Sequence, residues 1–108
     1  MAVFEITKDD KGFRFVLKAD SGQVLVNSET YTSKASAQNG IESIKKNAAS
    51  LGQYKISQRP DGKYSFALKA KNHQPVAHSL QYYNEAAVNE GVSLMQKVAP
   101  DARVIDKT

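Results

Sequence analysis

Few residues in this sequence have the types and spacing that chemistry needs. The two histidines, His73 and His78, have four residues between them, and the chain has no cysteine. A structural zinc site takes four ligands. Two imidazoles with no clustered carboxylates therefore read as surface histidines flanking a turn and a strand. Ser28, Glu29 and Tyr31 form a denser cluster, a hydroxyl and a carboxylate close to a phenol. Nucleophilic hydrolysis would need an imidazole held against the serine, and no histidine accompanies this cluster. His78 adjoins Ser79, but neighbours on a strand project to opposite faces. No glycine-rich phosphate loop, dinucleotide fingerprint or His-Glu-x-x-His motif occurs. The expectation is no catalytic residue, no metal and no cofactor.

Charge says little more. The 108 residues hold 15 Lys+Arg against 11 Asp+Glu, a net charge of +4. Only Arg14, Arg59 and Arg103 are arginine, the cation suited to bidentate phosphate or base contacts. Dispersed lysine is what solubility alone produces. With 41% hydrophobic residues, the chain fits one globular domain and excludes a disordered tail or a disulfide scaffold. No stretch approaches the ~20 apolar residues of a membrane helix. The opening Met1-Ala2-Val3-Phe4-Glu5 carries neither a basic nor an apolar leader segment. A cytoplasmic protein is expected.

The elements that would position these groups repeat. Phe13-Arg14-Phe15-Val16-Leu17-Lys18-Ala19 matches Tyr64-Ser65-Phe66-Ala67-Leu68-Lys69-Ala70 at an offset of 51. The same offset carries Gln23, Ser28, Tyr31, Ala35, Gly40, Lys46 and Ala48 onto identical residues. With one residue inserted near Lys63, Phe4-Glu5-Ile6-Thr7 pairs with Tyr54-Lys55-Ile56-Ser57. A third, truncated copy appears at Arg103-Val104-Ile105-Asp106. The chain thus divides into repeats of about 1–52 and 53–101 with a closing strand at about 102–107.

Each repeat begins with a short strand, Phe4–Thr7 in the first. A turn follows at Lys8–Gly12, and at Arg59-Pro60-Asp61-Gly62 in the second copy. In the next strand Phe13, Phe15, Leu17 and Ala19 face one way and Arg14, Val16 and Lys18 the other. Asp20-Ser21-Gly22 reverses the chain into Gln23–Asn27, whose register stays open because turns of two and three residues point opposite side chains inward. Ser33 and Asn84 are expected helix N-caps. Ala37, Ile41, Ile44 and Ala48 then make one apolar stripe, as do Val88, Val92, Met95 and Ala99. Gly40 and Gly91 sit in mid-helix, where glycine costs about 1 kcal/mol relative to alanine. Their recurrence implies a close approach of the helix to the sheet. Pro100 ends the second helix.

The strings Gly12–Ala19, Ser21-Gly22-Gln23-Val24-Leu25, Ser28-Glu29-Thr30-Tyr31 and Gly40–Lys45 resemble the YegP-like family of small uncharacterised bacterial proteins. The resemblance spans essentially the whole chain. It implies an α+β fold of two tandem β3-α-β repeats in one continuous antiparallel sheet, with the last strand of each repeat exchanged into the other. Both helices are expected on one sheet face, about a pseudo-twofold axis. The second copy departs from the pattern: Glu29 becomes Leu80, Lys34 becomes Glu85, Gly22 becomes His73 and Val24 becomes Pro75. Proline there reads as an edge or bulge position. Any role of the Ser28, Glu29, Tyr31 junction is therefore confined to the first copy. The family brings no activity, so function stays unknown.

The remaining feature is the sheet face without helices, expected to carry Arg14, Val16 and Lys18 with Ser65, Ala67 and Lys69. The leading reading is a non-enzymatic binding module using Arg14, Lys18 and Lys69, with a protein or a small ligand as partner. The alternative is weak, non-specific binding of single-stranded nucleic acid. That needs stacking aromatics, yet Phe13, Phe15, Tyr64 and Phe66 point to the covered face, and Tyr31, Tyr82 and Tyr83 sit at strand-to-helix junctions. An enzyme comes last. Because the duplication supplies both halves on one chain, a monomer suffices.

Overall fold

Alternation and stripe resolve into nine elements in the computed structural model, which describes residues 2–72 and 74–108. The first repeat contributes β1 (Val3–Asp9), β2 (Gly12–Lys18), β3 (Val24–Ser28) and α1 (Lys34–Asn47). The second contributes β4 (Tyr54–Gln58), β5 (Tyr64–Lys69), β6 (Pro75–Ser79) and α2 (Glu85–Val98), and β7 (Arg103–Asp106) closes the chain. Short 3-10 turns, Leu51–Gln53 and Ala99–Asp101, follow the helices. One sheet holds all seven strands in the order β4-β5-β6-β3-β2-β1-β7.

The repeats meet at β3 and β6, which pair antiparallel as Val26↔Ser79, Asn27↔His78 and Ser28↔Ala77. At the offset of 51 Val26 corresponds to Ala77, Asn27 to His78 and Ser28 to Ser79, so the pairing maps onto itself and the pseudo-twofold axis passes through Asn27 and His78. The exchange of strands is present: β4 follows α1 yet pairs with β5, and β7 follows α2 yet pairs with β1.

The expected all-antiparallel sheet is corrected at one edge, because β7 runs parallel to β1. β7 leaves α2 as β4 leaves α1, and therefore heads for the slot beside β2. β1 already fills that slot, antiparallel to β2. The late strand lies outside β1 and in the same direction, which makes the sheet mixed.

One turn is tighter than expected. β1 and β2 stay paired out to Asp9↔Gly12, so the first reversal is only Asp10-Lys11. Asp9 Oδ1 accepts from the amides of Lys11 and Gly12 at 2.8 and 3.2 Å. The open register of β3 is settled by a bulge: pairing slips between Leu17 and Lys18, and both Leu25 and Val26 are buried. The same slip between Leu68 and Lys69 leaves Val76 unpaired and puts Pro75 beside that bulge, in a central strand rather than at an edge.

The core lies between the sheet and the helices. Phe4, Phe15, Leu17, Phe66 and Leu68 meet the Ile41–Ile44 stripe of α1 and the Val88–Met95 stripe of α2 in one buried cluster. Both caps are made: Ser33 Oγ accepts from Ser36 N at 3.1 Å, and Asn84 Oδ1 accepts from Ala87 N at 2.8 Å. Each is worth about 1 kcal/mol. The helix glycines face a tyrosine rather than strand backbone. A Cβ on Gly40 would strike the Tyr31 hydroxyl and the Phe15 ring, and one on Gly91 the Tyr82 hydroxyl and Phe66. Tyr31 and Tyr82 lie nearly flat on those phenylalanines, centroids 6.2 Å apart in both repeats.

Candidate binding face

Strand alternation sends every second side chain away from the helices, and sheet register lines these up. The pairings connect Ile105, Glu5, Val16, Asn27, His78, Ala67 and Lys55 in one row across all seven strands. None of the seven is buried. The middle of the row is Asn27 beside His78, the two residues on the pseudo-axis. His78 Nε2 lies 2.6 Å from Glu29 Oε1, with both side chains about half exposed (51% and 52%). That contact needs a proton on Nε2, in the neutral Nε2–H tautomer or the imidazolium. His73 lies outside the described residues.

The Ser28, Glu29, Tyr31 junction is not assembled as one site. Ser28 Oγ accepts from Phe15 N at 2.9 Å and donates a hydrogen bond to the Glu29 carbonyl at 2.7 Å. Ser79 does the same with Phe66 N and the Leu80 carbonyl. These hydroxyls satisfy backbone groups, and neither donates to an imidazole. Tyr31 exchanges backbone hydrogen bonds with Phe13 and buries its ring against Phe15. Burial raises its phenol pKa, and the Glu29 charge adds to the effect. Only Glu29 joins the open face.

Two of the three expected cations are already paired. Arg14 Nη2 sits 3.1 Å from Asp9 Oδ2, and Lys18 Nζ 3.1 Å from Glu5 Oε1. Glu5 also takes Lys107 Nζ at 3.3 Å. The Lys18 hydrogen bond, with Lys107 beyond it, holds the Glu5 carboxyl below the usual range against the opposing effect of burial. Lys69, in contrast, has no carboxylate at ion-pairing distance among the described residues. Sequence reasoning missed Glu5, Asn27 and Lys55 as members of this face. The identity of Asn27 and His78 as repeat counterparts was the available signal, since pseudo-symmetry alone makes them neighbours.

A hollow of about 170 Å³ opens beside the axis, lined by Thr7, Arg14, Phe15, Val16, Asn27 and Ser28. A larger one, about 680 Å³, lies on the helix side between α1 and the β5–β6 turn. Its one buried polar side chain, Asn47, already donates to the Ser43 carbonyl at 2.8 Å. Among the described residues no three His, Asp or Glu side chains gather as metal ligands. No described helix is long and apolar enough to cross a membrane.

The repeat seen in the fold is also a family signature. The profile of a domain of unknown function, DUF1508, matches twice, over residues 9–54 and 60–106. The chain belongs to the DUF1508 family. Among its relatives, the UPF0339 protein in the ptx operon 5′ region of Stutzerimonas stutzeri is 43% identical over 104 residues, covering 95% of this chain and 94% of that one. The UPF0339 protein YegP of Escherichia coli O157:H7 is 39% identical over 106 residues, covering 97% and 96%. The solution NMR structure of yegP from E. coli superposes with a TM-score of 0.93 at 36% identity, covering 99% of this chain and 93% of that one. That of the UPF0339 protein SO3888 from Shewanella oneidensis gives 0.92 at 35% identity, covering 97% and 90%. The resemblance to YegP-like proteins is therefore borne out. DUF1508 carries no assigned activity, so function rests on the face itself.

Proposed function

We propose that this DUF1508 chain is a non-enzymatic, monomeric interaction module of the cytoplasm whose working surface is the open sheet face. One observation carries the reading: the unburied row from Ile105 to Lys55 crosses all seven strands, with the asymmetric Asn27–His78–Glu29 group at its centre. Both helices are spent on the opposite face, leaving this broad surface of mixed polarity for a partner. A cysteine-free chain needs no oxidising compartment. With Arg14 and Lys18 already neutralised by carboxylates, the face is better matched to a protein or a small polar ligand than to a polyanion. Base stacking on this face is not favoured either, since Phe15 and Phe66 are buried beneath the helices on the other side of the sheet.

Affinity capture with an Asn27→Ala/His78→Ala variant tests the proposal. The variant is expected to keep its fold, because both side chains are exposed, and to lose partners that the parent chain retains at physiological salt. Full retention by the variant would place the working surface elsewhere. Labelled single-stranded DNA and RNA are expected to bind only at low salt, as charge alone would allow.

A further inference from the structure

The two edges of the sheet are not alike. By repeat equivalence β4 is the counterpart of β1, yet β1 is covered by β7 while the outer edge of β4 has no strand beside it. The covered edge therefore serves as a template for the bare one. On it, Arg103 N donates to the Ala2 carbonyl at 3.2 Å and Lys107 N to the Ile6 carbonyl at 2.9 Å. Their counterparts on the bare side are the carbonyls of Gly52 and Ile56. Ile6 is fully buried, whereas Ile56, in the same slot, is 39% exposed.

Charge defines the missing occupant. On the helix side β7 presents Asp106 to Lys34; the counterpart of Lys34 is Glu85. On the open side β7 presents Lys107 to Glu5, which also holds Lys18; the counterparts of Glu5 and Lys18 are Lys55 and Lys69. Neither lysine has a carboxylate at ion-pairing distance among the described residues. Every charge that β7 meets is thus reversed at the bare edge. A second copy's β7 placed there would set Asp106 against Glu85 and Lys107 against Lys55, a like-charge arrangement that disfavours chain-to-chain growth.

We propose that the β4 edge docks an extended segment of a different protein, parallel to β4. That segment carries two apolar residues followed by a basic one facing Glu85 and an acidic one facing Lys55. Backbone hydrogen bonds supply the attachment and the charge order selects the partner. The site touches the open-face row only at its last member, Lys55, and does not depend on the Asn27–His78–Glu29 group at the centre of that row.

Two capped heptapeptides test this on the full-length, isotopically labelled chain: residues 102–108 as they stand, and the same with Asp106→Lys and Lys107→Glu. The exchanged peptide is expected to shift the amides of residues 54–58 and to bind about fivefold to tenfold tighter than the unchanged one, the difference that two exposed ion pairs produce. The preference should shrink in 1 M salt and reverse in a Lys55→Glu/Glu85→Lys variant. Equal affinities, shifts confined to residues 3–6 or to residues 27–29 and 78, or no shift with either peptide would overturn the proposal.

Discussion

The two repeats run the same local programme and end with different surroundings. In the first, Phe4 and Ile6 are sealed between β2 and β7; in the second, Tyr54 and Ile56 stand at the rim. Tyr54 keeps the edge-to-face contact that Phe4 makes, with Tyr54 to Phe66 at 5.7 Å and Phe4 to Phe15 at 5.9 Å. Its hydroxyl then reaches the Ala48 carbonyl at 2.6 Å, a hydrogen bond that a half-buried position permits and a phenylalanine lacks. Identical strand patterns thus acquire different energetics from a neighbour that arrives late in the chain. Secondary structure belongs to the repeat, and burial belongs to the whole sheet.

The sharpest way to break this comparison is at the positions where the repeats are most alike. Phe15→Ala and Phe66→Ala should each cost about 3–5 kcal/mol, since each empties a site beneath a helix. Domains of this size hold only about 5–15 kcal/mol in total, so urea unfolding should find both marginal, and a large gap between them would deny the equivalence of the cores. A difference should appear one strand away. Ile6→Ala is expected to cost about 2–5 kcal/mol, and Ile56→Ala about 1 kcal/mol or less because the side chain is already partly in water. Equal losses in urea titrations would mean that β7 does not create the asymmetry.

The helix glycines give a smaller effect. Gly40→Ala adds a methyl where the Tyr31 hydroxyl sits, and such overpacking costs about 1–3 kcal/mol, opposed by about 1 kcal/mol of helix propensity. Pairing it with Tyr31→Phe removes the shortest contact, leaves the two ring carbons near 3 Å, and should recover part of the loss. Additive effects of the two changes in thermal unfolding would refute the contact.

The smallest expected effect concerns pH and the strand that distinguishes the repeats. The Lys34 ammonium beside Asp106, with hydrogen bonds from Thr108, holds that carboxyl far below its usual range. A carboxyl depressed by folding contributes stability above its unfolded pKa of about 3.9 and loses it as the pH falls toward the folded value. β7 should therefore loosen progressively below about pH 4. Amide chemical shifts of residues 103–107 should drift there in the parent chain and lose that drift in Asp106→Asn; a parent chain unchanged down to pH 2 would contradict the account.

Much of this is legible in the sequence. The offset of 51 located the elements, because alternation and stripe recur at it. Ser33 and Asn84 marked the helix starts, and Gly40 and Gly91 marked a close approach. What stayed hidden depended on pairing. A bulge at Leu17–Lys18 buries both Leu25 and Val26, which no strict alternation predicts. The parallel seating of β7 follows from competition for a slot, a property of the assembled sheet. Arg14 and Lys18 looked like free cations because Asp9 and Glu5 join them only through the hairpin register. Glu29 meets His78 across 49 residues of sequence, through the β3–β6 pairing that neither repeat contains alone.

That pairing has a consequence for how such a face diversifies. Two identical subunits meeting on a true twofold would confront every axial residue with its own copy, and a substitution would always be made twice. Covalent fusion of the repeats lifts this restriction. Asn27 now faces a histidine, and the position that is Glu29 on one side is Leu80 on the other. A dimer of single repeats would have a palindromic centre; the single chain has a directional one, with its two ends chemically distinct.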